Sequence, residues 1–487
     1  MSSGRTMLRG AFFSGAGMFL SMGAAMGVRM MFTRILSESE AGVYLLLILS
    51  CDLFILVTNL GVRSALPKLV AGADPAERPR LVSAAFGWQW VLSGAVGVAI
   101  IAAWLCVRDP RAFSTNESWI GLYPYLGLLP LYFFVGTQRD MAMAAMAGLN
   151  RYAARAGGLI AASLAHLMLV AVLVWWLRKG LLALMLATLI SYTVAAMWQH
   201  AGLPEGRRPR LLWRPYREII AFSWPLYLNN VLAFALYRFD TMIVAGLLAP
   251  VYVAHYEMAK SLPLLISGLL TAALVPYLPG ISQRIAKSDM DGAARLASQS
   301  AILTGLLSYA VTLGLLVVQR PLIVFLFSEK YLPCLPVLWI LLAGFSLGVQ
   351  AGVMGQTLVA LDKPIAVCVI NIGAAVLSIG LNLVFIPRFG IVGAAYAYLV
   401  AVVFGLVLQT AYVVRYGLRI DLRRFLAMQL YAAAALAIGL VVQSPVGYAA
   451  GLGGFAGLCL LTRVVAPSQI RQMLIAFLPS RGPAATP

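Results

Sequence analysis

Charged side chains lie within the hydrophobic stretches of this sequence, and their types suit the binding of an anionic headgroup. The bases are Arg29, Arg63, Arg139, Arg238 and Lys260, and the acids are Asp52, Asp140, Asp240 and Glu257. A charge at the bilayer centre costs about 2.5–3.5 kcal/mol on insertion scales, so it normally faces a water-filled cavity or a partner. Because arginine offers a bidentate fork to phosphate or carboxylate oxygens, these residues predict a polar cavity that binds an anion.

In the second hydrophobic span, predicted over residues 42–66, three polar residues share one face. Asp52, Asn59 and Arg63 are spaced as on one side of a helix. Two interpretations stay open for this face. Asp52 and Arg63 either line a cavity, or Asp52 pairs with another helix while Arg63 extends to the inner headgroups. Arg29, near the outer end of the first span, either lines the cavity or extends to the outer headgroups.

The seventh span, predicted over residues 219–247, and the eighth, over 252–279, carry further polar stripes. Arg238 and Asp240 lie beside the first stripe, and Glu257 and Lys260 share a face in the second. The members of the first stripe are Ser223, Tyr227, Asn230, Tyr237 and Thr241. Such stripes also mediate helix packing, and Glu257 and Lys260 are spaced to pair with each other. Since the stripes recur on separate spans with a base on each, we favour a cavity.

These patterns assign candidate roles. The predicted substrate-binding residues, for the phosphorylated headgroup of an amphiphile, are Arg29, Asn59, Arg63, Asn230, Arg238 and Lys260. The candidates for coupling to a proton or cation are Asp52, Asp240 and Glu257. In the fourth span Gln138, Arg139 and Asp140 are consecutive and cannot all face one way, so we expect a local Arg139–Asp140 arrangement of lesser importance near the inner interface.

The elements that must position these residues are membrane-spanning helices. Hydrophobic residues make up 62% of the 487, charged residues only 11%, and the mean hydropathy is +0.89. Apolar stretches long enough to cross the bilayer recur throughout, and we count about fourteen. The fold class is therefore an all-α polytopic membrane protein, whose first apolar run is a span rather than a signal peptide. The five cysteines and three histidines are scattered, so we expect no metal site and no cofactor.

The net charge of +19 follows the positive-inside rule rather than indicating a nucleic-acid partner. Basic residues collect in loops that share one side of the membrane if the N-terminus is cytoplasmic. The two strongest clusters are Arg207, Arg208, Arg210, Arg214 and Arg217, and later Arg415, Arg419, Arg423 and Arg424. We therefore expect both termini in the cytoplasm.

An internal duplication divides the chain. Tyr44 and Pro67 are separated by the same number of residues as Tyr256 and Pro279. We predict an N-terminal six-helix lobe over 1–210, a C-terminal six-helix lobe over 211–420, and two further helices with a cytoplasmic tail over 421–487. Units of six spans keep their orientation, so the repeats are parallel, with a substrate site between them.

The chain resembles the polysaccharide transporter family of the multidrug/oligosaccharidyl-lipid/polysaccharide exporter superfamily. The segments that carry the resemblance are Phe32–Leu36, Ala41–Tyr44, Asn59–Leu66, Arg238–Val244, Ala254–Ala259 and Arg388–Ala395. One departure stands before the eighth span, where the family has glycine and tyrosine and this chain has Ala254 and His255, a group that can titrate near neutral pH.

This resemblance implies a flippase rather than an enzyme. It implies two facing lobes, alternating access and a cavity lined by the first, second, seventh and eighth spans. The implied substrate is an undecaprenyl-diphosphate-linked oligosaccharide. It would cross from the cytoplasmic to the periplasmic leaflet of the bacterial inner membrane during O-antigen, capsule or exopolysaccharide assembly. Other implied partners are membrane lipids, a coupling proton or sodium ion, and the polymerase and export machinery.

Two kinds of alternative remain. One is a multidrug or peptidoglycan-precursor exporter of the same superfamily, although a cavity for cationic drugs would favour acids over bases. The other is a polytopic glycan polymerase or ligase. Such enzymes carry catalytic acids in large external loops, and the external connections predicted here are short.

Overall fold

A computed structural model describes residues 2–107, 109, 111, 114–203, 208–274, 277–442 and 444–462. Arg207 of the first basic cluster and the predicted tail from residue 463 onward lie outside these ranges. Within the described ranges the chain forms helices and short connections, without a β-strand.

The N-terminal half contributes eight α-helices to the described part of the chain. They are α1 (Ser2–Ile35), α2 (Glu38–Asn59), α3 (Val62–Gly72), α4 (Arg78–Cys106), α5 (Glu117–Leu122), α6 (Leu129–Gly148), α7 (Tyr152–Val170) and α8 (Gly180–Ala201). A 3₁₀ segment, Tyr123–Leu128, joins α5 to α6, and a π-helical turn, Ala171–Trp176, extends α7.

Ten further helices follow in the described residues. They are α9 (Trp213–Tyr237), α10 (Phe239–Leu247), α11 (Pro250–Ala273), α12 (Tyr277–Ala286), α13 (Met290–Val317), α14 (Gln319–Phe327), α15 (Leu335–Ala360), α16 (Pro364–Arg415), α17 (Leu422–Val442) and α18 (Pro445–Leu461). A 3₁₀ segment, Glu329–Cys334, precedes α15, and α16 consists of two helices that meet at Gly390.

The all-α membrane class is confirmed. Ten of the described helices are long and apolar enough to cross a bilayer. The sequence-based count of about fourteen spans stays a prediction. The spans predicted over 364–386 and 391–414 are counted once, as α16, and α18 is one of the shorter apolar helices.

Two spans that the sequence predicts as continuous are broken. The span over 42–66 separates into α2 and α3, because Leu60 (φ 49°) and Gly61 (φ 78°) take left-handed conformations that end a right-handed helix. The span over 219–247 separates into α9 and α10 at Arg238, whose φ of −130° is not helical. Both predictions of a single helix are therefore wrong, and both breaks lie next to charged residues.

The chain forms two compact units. The first contains residues 1–258, 323–334 and 378–394, and the second contains 259–322, 335–377 and 395 onward. In the first unit α6 packs against α2, α3, α4 and α8, around buried Phe86 and Met141. In the second, α13 packs against α15, α17 and α18, around buried Met354 and Met428. The predicted lobes 1–210 and 211–420 stay a prediction.

Candidate functional site

The break between α2 and α3 is held in place by α9. A Cβ atom added to Gly61 would lie 2.7 Å from the carbonyl oxygen of Ser223, so only glycine allows the two backbones to approach this closely. The Ser223 hydroxyl donates to the Leu60 carbonyl at 2.9 Å, and the Asn59 side-chain oxygen accepts the Arg63 backbone N–H at 2.8 Å. Asn59 therefore caps α3 and orients its first turn, which carries Arg63.

Asp140, on α6, joins two arginines. Its carboxylate lies 2.7 Å from the Arg63 guanidinium and 2.9 Å from that of Arg139. The Asp140 side chain is 2% exposed, whereas that of Arg63 is 57% exposed. Arg139 also packs over the ring of Tyr192, 4.3 Å from its centroid. Asp140 thus fixes one end of Arg63 while much of its guanidinium stays accessible.

Arg238 lies between two carboxylates at the break between α9 and α10. Its guanidinium is 3.5 Å from Asp52 and 3.8 Å from Glu257, and its side chain is about one-third exposed. The Thr241 hydroxyl donates to Glu257 at 2.7 Å. Behind this pair, the Tyr256 hydroxyl donates to Asp240 at 2.6 Å. The Thr241 hydroxyl thus orients Glu257, one of the two acids that flank Arg238.

These residues surround a cavity of about 410 Å³ within the first unit. Its walls combine charged and amide groups with aliphatic and aromatic side chains. The lining residues are Asp52, Ile55, Leu56, Asn59, Gly61, Arg63, Ser64, Arg139, Asp140, Asn230, Ala233, Phe234 and Arg238. Since Asn230 donates to Ser64 at 3.0 Å, α9 and α3 form adjoining walls of the cavity.

Electrostatic interactions extend the site beyond the ion pairs. Arg29, half-buried on α1, is attracted by Glu257 and repelled by Arg238. Asp52 is attracted by both Arg238 and Arg139. The resulting set contains equal numbers of arginines (Arg29, Arg63, Arg139, Arg238) and carboxylates (Asp52, Asp140, Asp240, Glu257). An incoming anion would therefore meet arginines that already have partners.

The structure brings most of the predicted residues together. Asp52, Asn59, Arg63, Asn230 and Arg238 line the cavity. Behind this lining Asp240 and Glu257 are buried. Lys260 is also buried, but it belongs to the second unit.

The sequence argument undervalued Arg139 and Asp140. The predicted local contact between Arg139 and Asp140 is present at 2.9 Å. Asp140 also contacts Arg63, however, and both residues line the cavity, so their importance is greater than the sequence pattern indicated. The consecutive spacing was misleading, because a long arginine side chain can fold back to its neighbour while the carboxylate faces inward. The small residues between Ala142 and Gly148 were the sequence feature that indicated close packing around this span. A span rich in alanine and glycine packs closely on several sides, so a charge on it meets other helices.

Comparison with known proteins identifies relatives of this chain. A family model described as "Polysaccharide biosynthesis protein" matches residues 31–336. An uncharacterized membrane protein in the cps region of Klebsiella pneumoniae is 27% identical over 190 residues, which is 38% of this chain. That match spans 36% of the Klebsiella protein.

Solved structures share the fold. The lipid II flippase MurJ, in an inward closed conformation, matches 95% of this chain and 100% of its own with a TM-score of 0.74 and 13% identity. An inward-facing multidrug resistance MATE family transporter of the MOP superfamily matches 83% of this chain and 98% of its own, with a TM-score of 0.62 and 15% identity. At these identities the comparison establishes the arrangement of helices.

Proposed function

Because the chain belongs to the polysaccharide biosynthesis protein family and has the MOP-superfamily fold, we propose that it is a lipid-linked oligosaccharide flippase. Its substrate is an undecaprenyl-diphosphate-linked oligosaccharide. The protein carries the headgroup from the cytoplasmic to the periplasmic leaflet of a bacterial inner membrane. The product then enters surface polysaccharide assembly.

The observation that carries this proposal is the group of arginines in the cavity of the first unit. Arg63, Arg139 and Arg238 all line it, and each has a carboxylate within 4 Å. A diphosphate offers oxygens that match the guanidinium fork, so it can displace a carboxylate without leaving an arginine unpaired in a low-dielectric site. The acids keep the arginines in position between transport cycles and compete with the substrate, which favours its release.

The size and lining of the cavity suit a headgroup rather than a whole lipid. Its volume of about 410 Å³ falls in the range of small-molecule sites, about 300–1,000 Å³. It would hold the diphosphate and the adjoining sugars while the hydrocarbon tail stays in the bilayer. Asn59 and Asn230 supply amide groups for sugar hydroxyls, and Phe234 offers a ring face. Arg29 and Lys260 remain proposed substrate contacts outside this lining.

Transport proceeds by alternating access between the proposed lobes 1–210 and 211–420, with both termini in the cytoplasm. No covalent bond of the substrate is formed or broken. The candidates for taking up a coupling proton or sodium ion are Asp52, Asp240 and Glu257, because each interacts electrostatically with Arg238. A change in the charge of one of these acids would alter how strongly Arg238 binds the anion. Polymerase and export proteins would receive the flipped product.

Deletion in the native host tests the proposal. We expect the surface polysaccharide to be lost and lipid-linked oligosaccharide to accumulate on the cytoplasmic side of the inner membrane. Re-expression of the wild-type chain should restore both, and the accumulated lipid would identify the sugar. Accumulation of lipid-linked peptidoglycan precursor would instead identify an exporter of that precursor. Normal sidedness with unpolymerised units outside would contradict the flippase and point to a polymerase or ligase.

A further inference from the structure

Basic and histidine side chains connect three segments at one end of the first unit. These segments are the turn between α1 and α2, the start of α11, and residues 323–334, all of which belong to that unit. Arg34 donates to the carbonyl of Phe325 at 2.6 Å, and Lys330 donates to the carbonyl of Leu36 at 2.5 Å. The third contact joins the His255 ring nitrogen Nε2 to the Glu38 carboxylate at 2.7 Å. We call these contacts the end cluster.

The end cluster and the arginine cavity lie at opposite ends of α2. Glu38 begins this helix, and Asp52 and Asn59 lie toward its other end. At 1.5 Å per residue, Asp52 is about 21 Å further along the helix axis than Glu38. From Ala41 to Cys51 every residue of α2 except Ile48 is buried. The cavity is therefore closed toward the end cluster by packed side chains.

Close backbone packing adds to this closure. Gly42 lies directly against Pro250, the first residue of α11, and a Cβ atom at Gly42 would overlap the Pro250 carbonyl. Further along α11, every residue from Val253 to Pro263 is buried. Opening this end therefore requires α11 to separate from α2, and such a movement must break the contact between His255 and Glu38.

The Glu38–His255 contact is the one of the three that contains a histidine. Arg34 and Lys330 donate to backbone carbonyls, whereas histidine as a residue type can change its charge between about pH 5 and 8. The His255 side chain is 8% exposed. The Tyr331 ring packs against it, with 5.6 Å between the two ring centroids. In the neutral state the contact is a hydrogen bond, and in the protonated state it is an ion pair at short distance.

Charged and titratable groups from several elements surround His255. On α2, Glu38 accepts from it directly, while Glu40 is engaged by Ser37 in a capping box. From residues 323–334 come the ammonium of Lys330, attracted by both glutamates, and the phenol of Tyr331. Arg34 adds a positive charge at the end of α1, and the neighbours of His255 on α11 itself are Tyr256 and Glu257. Carboxylates and cations are thus mixed around His255.

We propose that the Glu38–His255 contact is a proton-strengthened latch that keeps the outer end of the first unit closed. The proposal rests on the proposed function and its orientation, in which the end cluster faces the periplasm. Below neutral pH the protonated His255 forms an ion pair with Glu38 and the closed state gains stability. As pH rises the latch weakens to a hydrogen bond, and the cavity is exposed to the outside more often.

Cysteine labelling from the outside tests the latch without using any substrate. Ser64 lines the cavity and is replaced by cysteine in a background with the exposed Cys106 and Cys368 changed to serine. A membrane-impermeant maleimide is applied to right-side-out spheroplasts at pH 6 and pH 8, and the chain without Ser64→Cys gives the background. Labelling of inverted vesicles verifies that each variant is folded and inserted.

The comparison is made between variants at the same pH, so that the intrinsic reactivity of the thiol cancels. His255→Gln keeps a neutral donor to Glu38 and should raise external labelling about tenfold at pH 6, with little change at pH 8. Glu38→Gln should do the same through the other partner. His200→Gln is the matched control, because His200 packs on the Phe86 ring away from the latch, and should behave as the parent.

Each outcome of the labelling experiment either supports or contradicts part of the proposal. Equal external labelling of the parent and both latch variants at pH 6 would overturn the latch, and an equal effect at pH 6 and pH 8 would overturn the role of the proton. Strong external labelling of the parent at both pH values would show that the closed end faces the cytoplasm. A failed flippase test with a positive labelling result would reject the substrate and keep the latch.

Discussion

At the scale of single residues, the site contains arginines that are oriented by carboxylates. Asp140 fixes Arg63 and Arg139, while Asp52 and Glu257 flank Arg238 at longer distances. The two arrangements have different consequences. A short contact to a buried acid is structural, whereas a contact of 3.5–3.8 Å to a partly exposed guanidinium can be exchanged for phosphate oxygens at little cost.

Replacement of Arg238 should therefore impair transport more than stability. We expect Arg238→Ala to lower surface glycan about tenfold or more, because the loss of a charge-assisted contact costs about 1.5–3 kcal/mol. Arg238→Lys should retain part of the activity, since it keeps the charge without the fork. Arg217→Ala, at an exposed position, is the control. Glycan and protein levels are measured by immunoblot, and wild-type glycan in Arg238→Ala would contradict the proposed phosphate site.

Replacement of Asp140 should destabilise the protein more than replacement of Arg63. In Asp140→Asn the arginines lose their shared carboxylate. Because the Arg63 side chain is 57% exposed, we expect the free energy of unfolding to fall by about 1–3 kcal/mol, less than for a fully buried ion pair. Arg63→Ala leaves Asp140 with Arg139, so its effect on stability should stay within about 1 kcal/mol. Thermal unfolding of the purified protein in detergent compares the two. Equal losses would show that Asp140 is not the structural centre.

At the scale of elements, charged side chains reach the cavity because two spans are broken beside it. The sequence predicted the polar faces of these spans from helical spacing, and Asp52, Asn59 and Asn230 do line the cavity. It could not predict the breaks. Leu60 is an ordinary helix former, and Arg238 carries no helix-breaking feature. Their conformations result from tertiary contacts, such as that between Ser223 and Leu60, which helical periodicity does not contain.

Gly61 tests the break between α2 and α3. Gly61→Ala places a Cβ atom on a residue with φ 78° and brings it against the Ser223 carbonyl oxygen. We therefore expect the free energy of unfolding to fall by about 1–3 kcal/mol and glycan output to decrease. Gly246→Ala is the matched control, since no atom lies within 4 Å of a Cβ there and alanine is the better helix former. Thermal unfolding and glycan output are measured for both. A neutral Gly61→Ala would show that the close approach of α9 does not hold the break.

At the scale of the whole molecule, charge distribution predicts the orientation on which the proposed transport direction depends. The net charge of +19 is high, yet the cavity set combines equal numbers of arginines and carboxylates. The excess of positive charge therefore lies outside the cavity set. Around the start of α9, Arg208, Arg210, Arg214 and Arg217 bring four positive charges close together, where the positive-inside rule places them in the cytoplasm. The connection after α4 should consequently face the periplasm.

Reporter insertions decide this orientation. Alkaline phosphatase, which is active only outside the cytoplasm, should be active when inserted after Asp109 and inactive after Arg208, with activities that differ about tenfold or more. Changing Arg208, Arg210, Arg214 and Arg217 to glutamine should reduce that difference, because the anchoring charge near the span is removed. A cytoplasmic green fluorescent protein at the same positions should give the reverse pattern. Phosphatase activity only at the insertion after Arg208 would indicate the inverted topology. The arginine cavity would then open toward the periplasm and receive its substrate from the opposite leaflet.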